Sequence, residues 1–179
     1  LDLNGVSLFL VGMMGAGKSS TGQQLAQTLG YQFFDTDTVI EQLAGKLISQ
    51  IFAEDGEASF RALETQVLSE LSSYRRLVIA TGGGIVLSPM NWSYLRHGLV
   101  VWLDVSADQL WARLQTDQTR PLLATENPRA TLEKCLEERR SHYTQADVQV
   151  AIPDAATLEE VVDLILTAIP PVLNKAQAE

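Results

Sequence analysis

The sequence predicts an α/β fold of three layers, with a parallel sheet between two layers of helices. Three observations point to it. Short apolar runs bounded by turn residues recur five times, longer amphipathic stretches with helix-start signals separate them, and a glycine-rich turn joins the first run to the first such stretch. Runs this short, without polar alternation, read as strands buried on both faces, the condition of a parallel sheet covered by crossover helices. Right-handed crossovers are then the default connection.

Val6 to Val11 is the first strand, closed by Gly12. Ser19 to Leu29 is the helix after it, with Leu25, Ala26 and Leu29 on one face. Tyr31 to Phe34 is the second strand. Asp35-Thr36-Asp37 continues it, and in an extended chain the two acids project to one side. Roughly residues 36–61 then depart from the plain alternation as an insertion. Leu77 to Ala80 is the third strand, and Ser88-Pro89 caps and opens the next helix with proline at its first position. Leu99 to Leu103 is the fourth strand, ending at Asp104. Ser106 with Gln109 has capping-box spacing. Residues 116–127 form a second, polar insertion, and Asn127-Pro128 starts the helix beyond it. Val148 to Ile152 is the fifth strand, Thr157 with Glu160 is a further capping box, and Pro170-Pro171 marks the end of the last helix. Insertions in such folds lie over the carboxyl ends of the strands, where ligands bind.

Composition narrows the function. At 179 residues, with 46% apolar side chains, the chain fits one domain, residues 1–179, with a real core. A net charge of −9 repels phosphate backbones and anionic lipid, so no nucleic-acid partner is expected. Cys135 is the only cysteine, which excludes an internal disulfide and a cysteine-rich zinc site, and His97 and His142 are too few for a histidine-rich one. The apolar runs are too short to span a bilayer, so no membrane partner is expected either. The first residues lack the basic region of a secretory signal. The expected compartment is cytoplasmic, or a plastid stroma if a transit peptide was removed. The thirteen bases divide into nine arginines and four lysines, a bias toward the side chain that grips planar anions with a fork of donors.

Gly12-Met13-Met14-Gly15-Ala16-Gly17-Lys18-Ser19 satisfies G-x-x-x-x-G-K-[ST] and lies between a strand and a helix, the context that motif requires. Its glycines let backbone N–H groups close on phosphate oxygens, and the helix beginning near Lys18 turns its positive end to the same anion. Lys18 supplies a cation for the β- and γ-phosphates, and the Ser19 hydroxyl suits Mg²⁺. Such a loop needs an acid near the metal. Asp35, Asp37 and Asp104 all end strands, and on pattern alone Asp35 and Asp104 remain equal candidates.

Further short motifs follow in order. Met14 to Ser19, Asp35-Thr36-Asp37, Gly56-Glu57 with Phe60-Arg61-Ala62-Leu63-Glu64, Ala80 to Gly84, Arg120 to Leu123, and Arg139 with Tyr143 together resemble the shikimate kinase family over nearly the whole chain. The family's usual Pro-Leu before the tyrosine is Ser141-His142 here. The resemblance implies a P-loop kinase fold like that of nucleoside-monophosphate kinases, with strand order 2-3-1-4-5. It implies transfer of the γ-phosphoryl of ATP to the 3-hydroxyl of shikimate, giving shikimate 3-phosphate and ADP, a step of aromatic amino-acid biosynthesis.

The resemblance also implies residue roles. ATP would lie on Gly15, Ala16, Gly17, Lys18, Ser19 and Ser20, with Mg²⁺ at Ser19 and, through water, at Asp35, which favours Asp35 over Asp104. Arg61 and Arg139 would clamp the shikimate carboxylate, a task suited to bidentate guanidinium groups. Asp37 would accept a hydrogen bond from the hydroxyl, and Gly83 would let the ring approach the backbone. Arg120, in a lid at about residues 116–127, would bring its charge onto the ATP phosphates. Lys18, Asp37 and Arg120 would carry the chemistry, and Arg113 is a weaker candidate on the nucleotide side. A monomer is expected.

Plainer roles are expected elsewhere. Glu64, three residues after Arg61, suits a helical ion pair that also orients the clamp. Cys135 and the tryptophans Trp92, Trp102 and Trp111 suit packing, Arg140 suits the surface, Asp104 suits a strand end, and His142 has no role. A related small-molecule kinase, for example one acting on gluconate, and a non-catalytic protein of the same fold are the alternatives. The clamp and the three glycines disfavour the first, and the complete motif set disfavours the second.

Overall fold

Leu8, Phe9, Leu10 and Val11 are all shielded from solvent, and they form β1 (Leu8–Val11), the middle strand of the sheet. The computed structural model describes residues 1, 3–117 and 123–176. After β1 come α1 (Lys18–Leu29), β2 (Gln32–Asp35), α2 (Thr36–Ala44), α3 (Ile48–Glu54), α4 (Glu57–Leu71) and β3 (Leu77–Ala80). A single 3₁₀ turn, Ile85–Leu87, leads to α5 (Pro89–Leu95), β4 (Leu99–Asp104), α6 (Ala107–Leu114), α7 (Pro128–Tyr143), β5 (Val148–Ala151) and α8 (Leu158–Ala176). The insertion expected after the second strand is α2, α3 and the start of α4.

The sheet is parallel with order β2-β3-β1-β4-β5, as expected. Leu8 pairs with Val78 on one side and Leu99 on the other. The chain leaves β1 for β2, on the far side of β3, and later crosses to β4. The carboxyl end of β1 is therefore the switch point, where loops diverge and leave a crevice.

Edge position alters two strands. The second strand is expected to be buried on both faces, but Gln32 is exposed and Phe33 to Asp35 are half-buried, because β2 is the outer strand. The other edge strand, β5, alternates buried and exposed residues for the same reason. Only the three inner strands are covered on both sides.

Helix starts largely follow the sequence signals. Thr157 and Glu160 form a reciprocal capping box, the Glu160 carboxylate accepting from Thr157 N at 2.7 Å and Thr157 Oγ1 accepting from Glu160 N at 3.2 Å. Ser106 and Asn127 each accept a backbone N–H from the residue three positions on. Ser88 makes no such bond, so Pro89 alone pre-sets that turn. Pro170-Pro171 does not end the last helix either, since α8 runs on to Ala176. Two prolines remove two helical N–H donors. Buried Ile165 and Ile169, with Val172 and Leu173 packed on the same core, hold the helix along its apolar face through the interruption.

The supporting residues behave as expected. Cys135 is a free, half-buried thiol packed against the core. Trp102 and Trp92 are core residues, and Trp111 packs at its margin. Among the described residues no helix is long and apolar enough to cross a membrane.

Candidate active site

Gly12 to Ser19 turns at the carboxyl end of β1 and opens α1. Gly12 has φ +146°, and a β-carbon there would lie 2.8 Å from the Leu103 carbonyl oxygen, so only glycine lets the loop leave β1 so close to β4. Lys18 folds back over the loop, donating to Gly12 O at 2.7 Å and Met13 O at 2.8 Å. Arg113 reaches across from α6 and donates to Gly15 O at 2.8 Å. The loop forms one wall of a cleft of about 490 Å³.

Asp35 ends β2 beside the loop. Its Oδ2 accepts a hydrogen bond from the Ser19 hydroxyl, and its Oδ1 accepts the Asp37 N–H at 3.0 Å and the Thr38 N–H at 3.4 Å, capping α2. The two acids of the D-T-D motif therefore do not share one extended strand. The helix begins at Thr36, and Asp37 lies in its first turn. Both nevertheless line the cleft. Asp104 does not line it; it accepts from Gln149 at 2.8 Å on β5 and stands 4.0 Å from Arg140. Arg140, more than a third exposed, passes over Trp102 and away from the cleft.

A second, smaller pocket adjoins the first. Met14, Asp37, Gly82 and Gly83 line both, and beyond them the second pocket contains Arg61, Glu64, Gly84 and Arg139. The run Gly82 to Gly84 is its floor. A β-carbon on Gly82 would lie 2.7 Å from Glu64 Oε2 and 3.1 Å from Asp37 Oδ1, one on Gly83 would lie 3.3 Å from Arg139 Nη1, and one on Gly84 would lie 2.5 Å from Arg61 Nη2. Each glycine thus has a charged side chain lying on it. Three glycines in a row leave room for four charged groups in one small space.

The charges are unevenly compensated. Arg61, on α4, donates to Glu64 Oε1 at 2.8 Å, lies 3.4 Å from Glu57, and rests on the Phe60 ring. Glu64 is 0% exposed, and burial pushes its pKa above the usual carboxylate value, against the pull of Arg61. The negative charge of Asp37 pushes in the same direction as burial. Arg139, on α7, is 6% exposed and has no ion-pair partner among the described residues. A buried cation that makes no direct ion pair is costly, although the nearby Glu64 carboxylate feels its charge, and an anionic ligand reaching Arg139 would offset that cost.

Several contributors carry no motif. Ile48 and Phe52 of α3, with Phe60, form the apolar wall of the small pocket. Ile152, Ala156, Leu158 and Val161 add apolar lining to the cleft. Ile48 and Phe52 are spaced i, i+4, the signal of one helix face, and that spacing is the only trace they leave in the sequence. Arg120, with residues 118–122, lies outside the described residues.

Hard oxygen donors meet at Ser19 and Asp35, and no group of three or more His, Cys, Asp or Glu able to hold a metal occurs among the described residues. That sparse set fits Mg²⁺, which keeps waters and phosphate oxygens and takes one or two protein ligands. It does not fit a metal held by an all-protein cage.

Comparison with known proteins agrees with this geometry. The family model for shikimate kinase matches residues 14–170. The chain belongs to the shikimate kinase family. A shikimate kinase of Synechococcus elongatus is 55% identical over 174 residues, covering 97% of this chain and 92% of that protein. The solved shikimate kinase from Acinetobacter baumannii in complex with shikimate is 37% identical, with TM-score 0.87, covering 95% of this chain and 94% of that one. A gluconokinase from Sinorhizobium meliloti, at 21% identity and TM-score 0.58, shares the fold alone. The chain is thus a shikimate kinase by family, and both pockets lie within the matched residues.

Proposed function

We propose that the protein transfers the γ-phosphoryl group of ATP to the 3-hydroxyl of shikimate, giving shikimate 3-phosphate and ADP, with Mg²⁺ at Ser19 and, through water, at Asp35. One observation supports this above the others: Asp37 stands where the phosphate cleft and the anion pocket meet. A hydroxyl held beside Asp37 faces the phosphate loop on one side, while a carboxylate on the same small ring reaches the arginines on the other.

In this reading the nucleotide phosphates lie along Gly15, Ala16, Gly17, Lys18, Ser19 and Ser20. Lys18 exchanges its bonds to Gly12 O and Met13 O for phosphate oxygens, which costs little because donors and acceptors trade partners. The apolar residues Ile152, Ala156, Leu158 and Val161, which line the cleft with Arg113, take the base end of the nucleotide. When bound, Mg²⁺ offsets charge on the β- and γ-phosphoryl oxygens. Arg139 and Arg61 bind the shikimate carboxylate, Gly83 offers close backbone approach, and Asp37 accepts the hydroxyl hydrogen bond and takes the proton as the oxygen attacks. Arg120 adds positive charge over the transferring group and helps exclude water. In this reading the protein works as a monomer.

A coupled assay of ADP release, run with Mg²⁺-ATP and either shikimate or gluconate, tests the reading. Turnover with shikimate and none with gluconate is expected. A folded protein that leaves shikimate unphosphorylated would sink it.

A further inference from the structure

Tyr143 is the last residue of α7 and is 0% exposed. Its ring stacks on Trp102 of β4, centroids 5.7 Å apart and planes 22° from parallel. Its hydroxyl donates to Gly83 O at 2.7 Å, across 60 residues of chain. Arg139 lies one turn earlier on the same helix face, so two successive turns of α7 meet Gly83, one at its Cα and one at its carbonyl.

Three consecutive glycines have no conformational preference to hold a shape, so tertiary contacts must supply it. Two side chains do so here. Thr36 Oγ1 accepts the Gly82 N–H at 3.1 Å, and Tyr143 fixes the Gly83 carbonyl. The Gly83–Gly84 peptide is planar and trans, so its N–H points opposite to its C=O. With the carbonyl turned into the core toward Tyr143, the Gly84 N–H is aimed the other way, and it meets no acceptor among the described residues. Gly84 lines the anion pocket beside Arg61. Burial raises the phenol pKa to about 12, so the hydroxyl remains a donor across the working pH range.

We propose that Tyr143 is a positioning residue of the acceptor pocket: by holding the Gly83 carbonyl it orients the Gly84 N–H to donate to the bound shikimate. This rests on the pocket being the shikimate site. Tyr143 acts through the peptide, and the Arg139 guanidinium lies beside the same hydroxyl.

The test is Tyr143→Phe, which removes the hydroxyl and keeps the stacked ring. The KM for shikimate should rise about tenfold, the scale of one lost buried hydrogen bond, with the KM for ATP within about twofold. Trp102→Phe, which loosens the same ring stack and leaves the hydroxyl in place, should leave the shikimate KM unchanged. A purely structural role would instead lower the active fraction, reducing kcat with both KM values unmoved. An unchanged shikimate KM in Tyr143→Phe, or an equal rise in Trp102→Phe, overturns the proposal. If Tyr143→Phe does not fold, amide exchange of the wild-type protein decides: shikimate should slow exchange at Gly84, and no change overturns the idea. Wild-type turnover with shikimate separates the two claims, because its absence overturns the function, whereas its presence with a normal Tyr143→Phe overturns only the role of Tyr143.

Discussion

Arg61 Nη1 donates a 2.8 Å hydrogen bond to Glu64 Oε1, three residues further along α4, while the other oxygen of that carboxylate faces Gly82 with no hydrogen-bond partner among the described residues. One half of the buried carboxylate is thus compensated and the other is not. The arrangement steadies the Arg61 guanidinium over Gly84 at some cost to stability.

That cost has a pH signature. The folded-state pKa of Glu64 lies above the ordinary glutamate value, chiefly because of burial, so the folded state binds the proton more tightly. The contribution to stability is complete below the unfolded pKa and is lost as pH rises through the raised one. Glu64→Gln has no such titration. In urea unfolding from about pH 4 to about pH 8, wild type should lose stability relative to Glu64→Gln as pH rises. A difference that stays flat across that range would show that Glu64 is not held above its ordinary value.

Arg139→Met should separate stability from function. Replacing a buried cation that makes no direct ion pair among the described residues with an apolar side chain of similar length should leave the thermal midpoint unchanged or raise it by about 2–4 °C. The shikimate KM should rise by about tenfold to a hundredfold through loss of charge-assisted bonds, with the ATP KM steady. A lowered midpoint with normal shikimate affinity would contradict both halves.

Asp37→Asn should reduce kcat by at least about 10²-fold, the usual scale for losing a positioned acid or base. Steady-state rates at saturating ATP and shikimate measure it. A kcat within a few fold of wild type would remove Asp37 from the reacting end of the pocket.

Asp35 has two duties that substitution can divide. Asparagine retains a capping oxygen for the Asp37 and Thr38 N–H groups, so Asp35→Asn should unfold close to wild type, whereas Asp35→Ala should lose about 1 kcal/mol. Both should raise the Mg²⁺ concentration needed for half-maximal rate, and EDTA should stop wild-type turnover until Mg²⁺ is restored. An unchanged Mg²⁺ requirement in both variants would mean that Asp35 serves the helix alone.

Much of the site is legible in the sequence because its parts are local. Gly12 to Ser19 carries its own backbone geometry, and the D-T-D, F-R-x-x-E and glycine motifs each place polar groups at the end of a strand or on a helix turn. The choice between Asp35 and Asp104 was not legible from pattern alone, since both end strands. The fold separates them: β2 places Asp35 beside Ser19, whereas Asp104 faces Gln149 and Arg140. Pro170-Pro171 misled for a related reason, because local propensity says stop while the buried face of α8 continues.

The sequence by itself determined the layer architecture and the phosphate loop. Apolar period, cap residues and a glycine-lysine turn are properties of neighbouring residues, and physics within one or two turns of chain settles them. Tertiary structure alone decided which charges are compensated and which carbonyl is held. Glu64 is paired on one oxygen only, Arg139 is buried without a direct ion pair among the described residues, and Tyr143 reaches Gly83 across 60 positions. Burial and long-range hydrogen bonds depend on what packing brings together, and no window of sequence contains both partners.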